Sequence, residues 1–204
     1  LDLASAISLV FLFTFVFVGL FIVGDLLFGL ILKLEDSTSR ITSLLARITP
    51  SWSRKSIIIF AAIMGVFWLP WFVANFPGST YWDTYYQIFQ VYPENHPIAI
   101  IPWSDVYKKT LTDAWLVDHH PVLTTMIYGA FGWVSDQLTG NWMSGVFTFV
   151  CIQGIAYLFV FTAACAYMRR VGCPTVVVFL AYAFFVIMPF VSTWSLCMVK
   201  DSLF

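Results

Sequence analysis

Apolar positions along this chain gather into four long runs separated by polar interludes. The runs extend over Leu3 to Leu32, Ser56 to Asn75, Trp142 to Met168 and Thr175 to Trp194. A helix needs about 20 predominantly apolar residues to cross a bilayer, so each run predicts one membrane span. The first run is too long for a signal peptide. It has no basic leading segment and ends without a small-residue cleavage pattern.

The interlude 76–141 holds two weaker helical patterns. Thr80 to Tyr92 predicts a short aromatic-rich helix capped by Ser79 or Thr80. Pro121 to Leu138 predicts a second helix, with Pro121 suited to its first turn. Its apolar run stops at Ser135-Asp136-Gln137, short for a span, and fits a helix lying along the membrane surface. Pro93, Pro97 and Pro102 keep the chain between the two irregular. The expected fold is therefore all-α and polytopic, with about four spans and interfacial helices in one long loop. Residues 1–55 form an N-terminal span and a basic loop, and residues 56–204 carry the rest. The chain starts without Met and stops just after a span, so it is expected to be the N-terminal part of a longer polytopic protein.

Composition agrees with the pattern. The chain is 60% hydrophobic and 19% aromatic but only 10% charged, where a soluble domain carries about 25% charge. With a formal net charge of -1 and no basic stripe, it offers nothing to a nucleic acid. The expected partner is membrane lipid. Cys151, Cys165, Cys173 and Cys197 sit in or beside apolar runs without metal-ligand spacing, and read as small packing residues.

Charge gives the orientation. Lys33, Arg40, Arg47, Arg54 and Lys55 lie between the first two runs, and Arg169-Arg170 follows the third. The long interlude has only Lys108 and Lys109, against Asp83, Glu94, Asp105, Asp113, Asp118 and Asp136. Basic loops stay in the cytoplasm. Residues 33–55 and 169–174 are accordingly expected inside, and loop 76–141 outside a cell membrane, with Lys200 and Asp201 on the same outer side. Tryptophans 68, 71, 82, 103, 115, 133, 142 and 194 fall near the outer ends of the runs or in the outer loop, as an interfacial aromatic belt would.

The outer loop concentrates the candidate chemistry. It holds all three histidines and six of the eleven acidic residues. Asp83 stands a few residues beyond the second run, flanked by Trp82, Tyr81, Tyr85 and Tyr86. A carboxylate there can act as a general base or bind a divalent cation; it can equally be a helix-start acid favoured by the dipole. In Asp118-His119-His120-Pro121, two imidazoles beside a carboxylate can orient a phosphate, shuttle a proton or ligate a metal. The structural alternative is a polar cap on the helix that follows. Adjacent histidines alone do not make a closed zinc site, which needs four spaced ligands. The candidate metal residues are thus Asp83, His119 and His120, with Mg²⁺ or Mn²⁺ as the candidate ion and no cofactor fixed by the pattern. Lys200 can hold a lipid phosphate as a point charge or simply snorkel.

In order and spacing these residues resemble the N-terminal part of the C-type (GT-C fold) membrane glycosyltransferases, particularly the protein O-mannosyltransferase and aminoarabinose-transferase group. That family carries an Asp-Glu-x-x-Tyr type motif in its first outer loop and His-Pro-Pro-Leu some tens of residues later. Here Asp83-Thr84-Tyr85-Tyr86-Gln87 and His120-Pro121-Val122-Leu123 stand at those places. Phe131-Gly132 resembles the family's aromatic-Gly near the end of the interfacial helix. The resemblance covers roughly residues 56–172. Thr84 replaces the usual second acid and Val122 the second proline, and the run Leu3 to Leu32 lies outside the family's minimal core.

The resemblance implies inverting transfer of a sugar from a polyprenyl-phosphate-linked donor to a cell-envelope acceptor on the outer face. It makes Asp83 the base, and has His119, His120 and Lys200 hold the donor phosphate or position the loop. Trp82 and Tyr86 would stack on sugar or isoprenoid, and Gln87, Asp118 and Asp201 complete the substrate-binding set. Two other classes compete. A transporter or flippase predicts ionisable groups within spans and broken helices at the midplane, whereas the runs here carry almost no charge apart from Asp25. An assembly subunit of a cell-envelope pathway predicts a loop that binds a partner and needs no Asp83.

Overall fold

The computed structural model describes residues 3–37, 39–80, 82–91 and 121–199. Among these residues are eight helices and two short strands: α1 (Leu3–Ser37), α2 (Ser39–Arg47), α3 (Arg54–Ala74), β1 (Ser79–Thr80), α4 (Trp82–Val91), α5 (Val122–Thr139), α6 (Met143–Arg170), α7 (Thr175–Ile187), α8 (Pro189–Ser195) and β2 (Cys197–Met198). The protein is an all-α, multi-pass membrane protein. Phe11–Lys33, Arg54–Ala74 and Met143–Arg170 are each long and apolar enough to cross a membrane. The bent pair α7 and α8 makes a fourth crossing if counted as one.

The chain divides into two compact units. The first comprises Leu1–Ile57 and Thr162–Ala183. Within it, α1 is apolar on every side, and none of Phe11–Lys33 is buried inside the protein, as expected of a helix whose solvent is lipid. The start of α3 is set by Ser53, whose Oγ accepts the Ser56 N–H at 3.2 Å. Such a cap satisfies one of the amides that the first turn leaves without a partner. At the far end of α6, Arg169 donates through Nη1 to the carbonyls of Ala46 (2.7 Å) and Thr49 (3.2 Å). A cation on the Ala46 carbonyl, in the last turn of α2, also meets the negative end of its dipole. Beside it, the Arg170 guanidinium lies 5.3 Å from the Trp52 ring centroid.

The second unit comprises Ile58–Phe161 and Phe184–Phe204. Its core is Ile88, Tyr128, Val146, Phe149, Val150, Leu196 and Met198, drawn from α4, α5, α6, the end of α8 and β2. Two glycines let backbones approach there. A Cβ on Gly145 of α6 would run into the Phe131 carbonyl of α5, and one on Gly132 would come within 2.9 Å of Ile88 Cγ2. The Gly132 of the aromatic-Gly element therefore seats α4 on α5.

The structure corrects the sequence reading at three places. Thr175 to Trp194 is not one continuous span: α7 and α8 are bent by 61° at the break. Pro189 begins α8 and has no N–H to give to the Phe185 carbonyl, so the helix cannot continue. Met188 still bonds back to Phe184 O at 3.0 Å, and the orphaned Phe185 carbonyl instead takes the Trp68 indole N–H at 3.0 Å. Trp68 is accordingly buried, 3% exposed, rather than part of an interfacial belt. Ser79 and Thr80 do not cap α4 but form β1, paired in parallel with β2 as Ser79↔Cys197 and Thr80↔Met198.

Candidate functional site

The sequence reading put its site residues on three separate segments; the structure describes the one on α4, and the chain that follows His120 and the chain that precedes Lys200 are both tied to that helix. The first tie runs from α4 to the chain after α8. Thr84, fully buried, donates its hydroxyl to the Met198 carbonyl. The β1–β2 pairing lies alongside it, and the Cys197 thiol donates to Ser79 O at 3.2 Å. Burial pushes that thiol up to about 11, so it stays protonated and a donor at neutral pH. From α6, Gln153 Nε2 donates to the carbonyls of both Ser195 (3.0 Å) and Cys197 (2.9 Å). The segment ending at Val199, the residue before Lys200, is thus gripped from two sides.

The second tie runs from α4 to the start of α5. Gln87 is fully buried and its Nε2 donates to Thr124 Oγ1 at 3.0 Å and Thr125 Oγ1 at 3.2 Å. Both threonine hydroxyls spend their single proton on the Pro121 carbonyl, at 2.8 and 3.2 Å. They can therefore only accept from Gln87. This order of donors fixes which way the amide points and leaves Gln87 Oε1 buried, with no hydrogen-bond partner among the described residues. Pro121 directly follows His120 in the chain.

Asp83 sits in the first turn of α4, half-buried and adjacent to Thr84. A carboxylate is favoured there by the helix dipole. Trp82 and Tyr86 occupy α4 positions whose side chains lie outside the described part. Asp118, His119, His120, Lys200 and Asp201 lie outside the described residues altogether. Gln87, expected to face a substrate, instead faces the interior. Among the described residues no group of three or more His, Cys, Asp or Glu could hold a metal ion.

Thr84 changes meaning in this setting. The sequence comparison marked it as the loss of a second acid. In the structure a carboxylate at that position would be buried against the Met198 carbonyl, so a hydroxyl donor is what the clasp requires. The sequence reading missed Thr84, Thr124, Thr125 and Gln153 as a network. A signal existed for Gln153, an amide in the middle of an apolar span, because polar side chains there need partners. The threonines carry no comparable signal.

The model of one family, described as a family of unknown function (DUF6020), matches residues 30–204. No curated protein and no solved structure matches the chain.

Proposed function

We propose that this chain, which belongs to the DUF6020 family of unknown function, is a membrane glycosyltransferase working at the outer face of the cell membrane. The reading moves a sugar from a polyprenyl-phosphate-linked donor to a cell-envelope acceptor. The observation that carries it is the pair of ties made by α4, Thr84 to Met198 and Gln87 to Thr124 and Thr125. They hold the helix of Asp83 against the residue that follows His120 and against the strand that leads to Lys200.

In this mechanism the Asp83 carboxylate takes the proton of the acceptor hydroxyl or amine as that atom attacks the anomeric carbon. The bond between that carbon and the donor phosphate oxygen breaks, and its electron pair leaves with the polyprenyl phosphate. The anomeric centre inverts. His119, His120 and Lys200 neutralise the departing phosphate, a task suited to preorganised cationic donors, and Asp118 and Asp201, next to them in the chain, contact other parts of the substrate. Trp82 and Tyr86 stack on the sugar or isoprenoid. Gln87 acts from the interior by fixing α4 to α5. Asp83, His119 and His120 would also be the residues to hold Mg²⁺ or Mn²⁺. Loss of transfer on chelation, with recovery on adding either ion, tests that part.

The experiment compares membranes carrying the wild-type chain or Asp83→Asn, supplied with synthetic polyprenyl-phosphate sugars and cell-envelope acceptor. Wild type is expected to release polyprenyl phosphate. The variant should insert normally and lose about 10²-fold or more of that rate, as removal of a general base does. Full activity in Asp83→Asn sinks the assignment. One observation favours the transporter reading, the broken span at Met188 and Pro189, since such breaks often mark substrate sites. Proteoliposomes that flip a labelled polyprenyl phosphate without turnover, equally in wild type and Asp83→Asn, would establish that second reading instead.

A further inference from the structure

The helix α2 has an amphipathic face that none of the described residues covers. Ile41, Leu44 and Ile48 are 55%, 58% and 44% exposed. At 3.6 residues per turn Ile41 and Leu44 share one face of α2, and Ile48 is the first residue after its end. Arg40 and Arg47 flank that face along one edge, both exposed, with Thr42 and Ser43 on the remaining side. From Ser39 to Lys55 the chain carries four basic residues and no acidic one.

The level of α2 is set by its neighbours. It links the span ending at Lys33 to the span starting at Arg54. Its C-terminal carbonyl at Ala46 is held by Arg169, at the basic end of the Met143–Arg170 span. Three span ends therefore place α2 where hydrocarbon gives way to headgroups. An apolar stripe edged by arginines is the pattern of a helix lying in that layer, with its cations among phosphates.

We infer that α2 is an anionic-lipid docking surface: Ile41, Leu44 and Ile48 enter the acyl boundary while Arg40 and Arg47 bind phospholipid headgroup phosphates. The occupant is the lipid surface itself, and charge complementarity selects anionic over neutral lipid. Each basic residue near such a surface strengthens binding about fivefold. The inference is independent of the sugar-transfer reading.

Hydrogen exchange of the 41–48 backbone amides tests it, with the full chain in nanodiscs of phosphatidylcholine alone or with phosphatidylglycerol added. Exchange should be roughly tenfold slower in the anionic discs. Arg40→Glu with Arg47→Glu should abolish that difference, and Arg40→Lys with Arg47→Lys should keep it. Ile41→Ser with Leu44→Ser should speed exchange in both discs while α3 and α6 stay protected, which shows an intact fold. Equal exchange in the two lipids, or a difference that survives charge reversal, overturns the inference. So does slowing in neutral discs by inorganic phosphate alone, because the site would then take a free anion and not a membrane.

Discussion

At Thr84 and Gln87 the chemistry of single side chains decides what the site can be. Each is fully buried and each is spent on a hydrogen bond across the fold. A buried polar group left without its partner costs about 1–3 kcal/mol. Thr84→Val should therefore destabilise the protein in detergent by about that amount, measured as a lower unfolding temperature. Thr84→Asp should cost more, because it sets a carboxylate against the Met198 carbonyl. If Thr84→Asp is as stable as wild type, the clasp does not explain why threonine stands there. Gln87→Glu is the parallel test, since a carboxylate cannot donate to Thr124 and Thr125; it should be less stable than Gln87→Leu. These roles were not legible in the sequence. The family resemblance made Gln87 a substrate ligand, while burial made it a strut, and burial is a property of packing.

Among the elements, the spans were legible and the break in the fourth was not drawn. Pro189 carried the local signal, but the apolar run Thr175 to Trp194 continues through it without a polar interruption. What tolerates the break is a distant group, the Trp68 indole on the Phe185 carbonyl. Unsatisfied backbone carbonyls are expensive at membrane depth. Trp68→Phe removes the N–H and also the five-membered part of the buried ring, so the lost hydrogen bond, worth about 1–3 kcal/mol, adds to the cost of a cavity. Pro189→Ala supplies an amide for that carbonyl, and in its background the cost of Trp68→Phe should shrink. A double-mutant cycle on thermal unfolding reads the coupling, and strictly additive costs would refute it. The two-residue strand pair β1 and β2 was equally invisible in advance. Ser79 and Thr80 look like helix caps from their neighbours, and their true partners Cys197 and Met198 lie far along the chain.

For the whole molecule, the asymmetry of basic residues supports a definite orientation. Gln137 and Val171 are both exposed, the first at the end of α5 and the second in the turn after α6. The positive-inside rule assigns them to opposite sides of the membrane. In intact cells, Gln137→Cys should react with an impermeant maleimide, and Val171→Cys should react only after permeabilisation. The parent chain with its four cysteines serves as the blank. The reverse pattern would invert the orientation and put the Asp83 loop in the cytoplasm, where an extracytoplasmic donor could not reach it.

Sequence by itself determined that this chain lives in a membrane, how many times it has the length to cross, and where its polar residues concentrate. It could do so because transfer of apolar side chains from water is a local, additive property of each run. Only the tertiary structure decided that Asp83 shares α4 with two buried struts, and that those struts reach the start of α5 and the strand before Lys200. Such contacts depend on which donors are left over once every helix has used its own, and that sum is made across the whole fold.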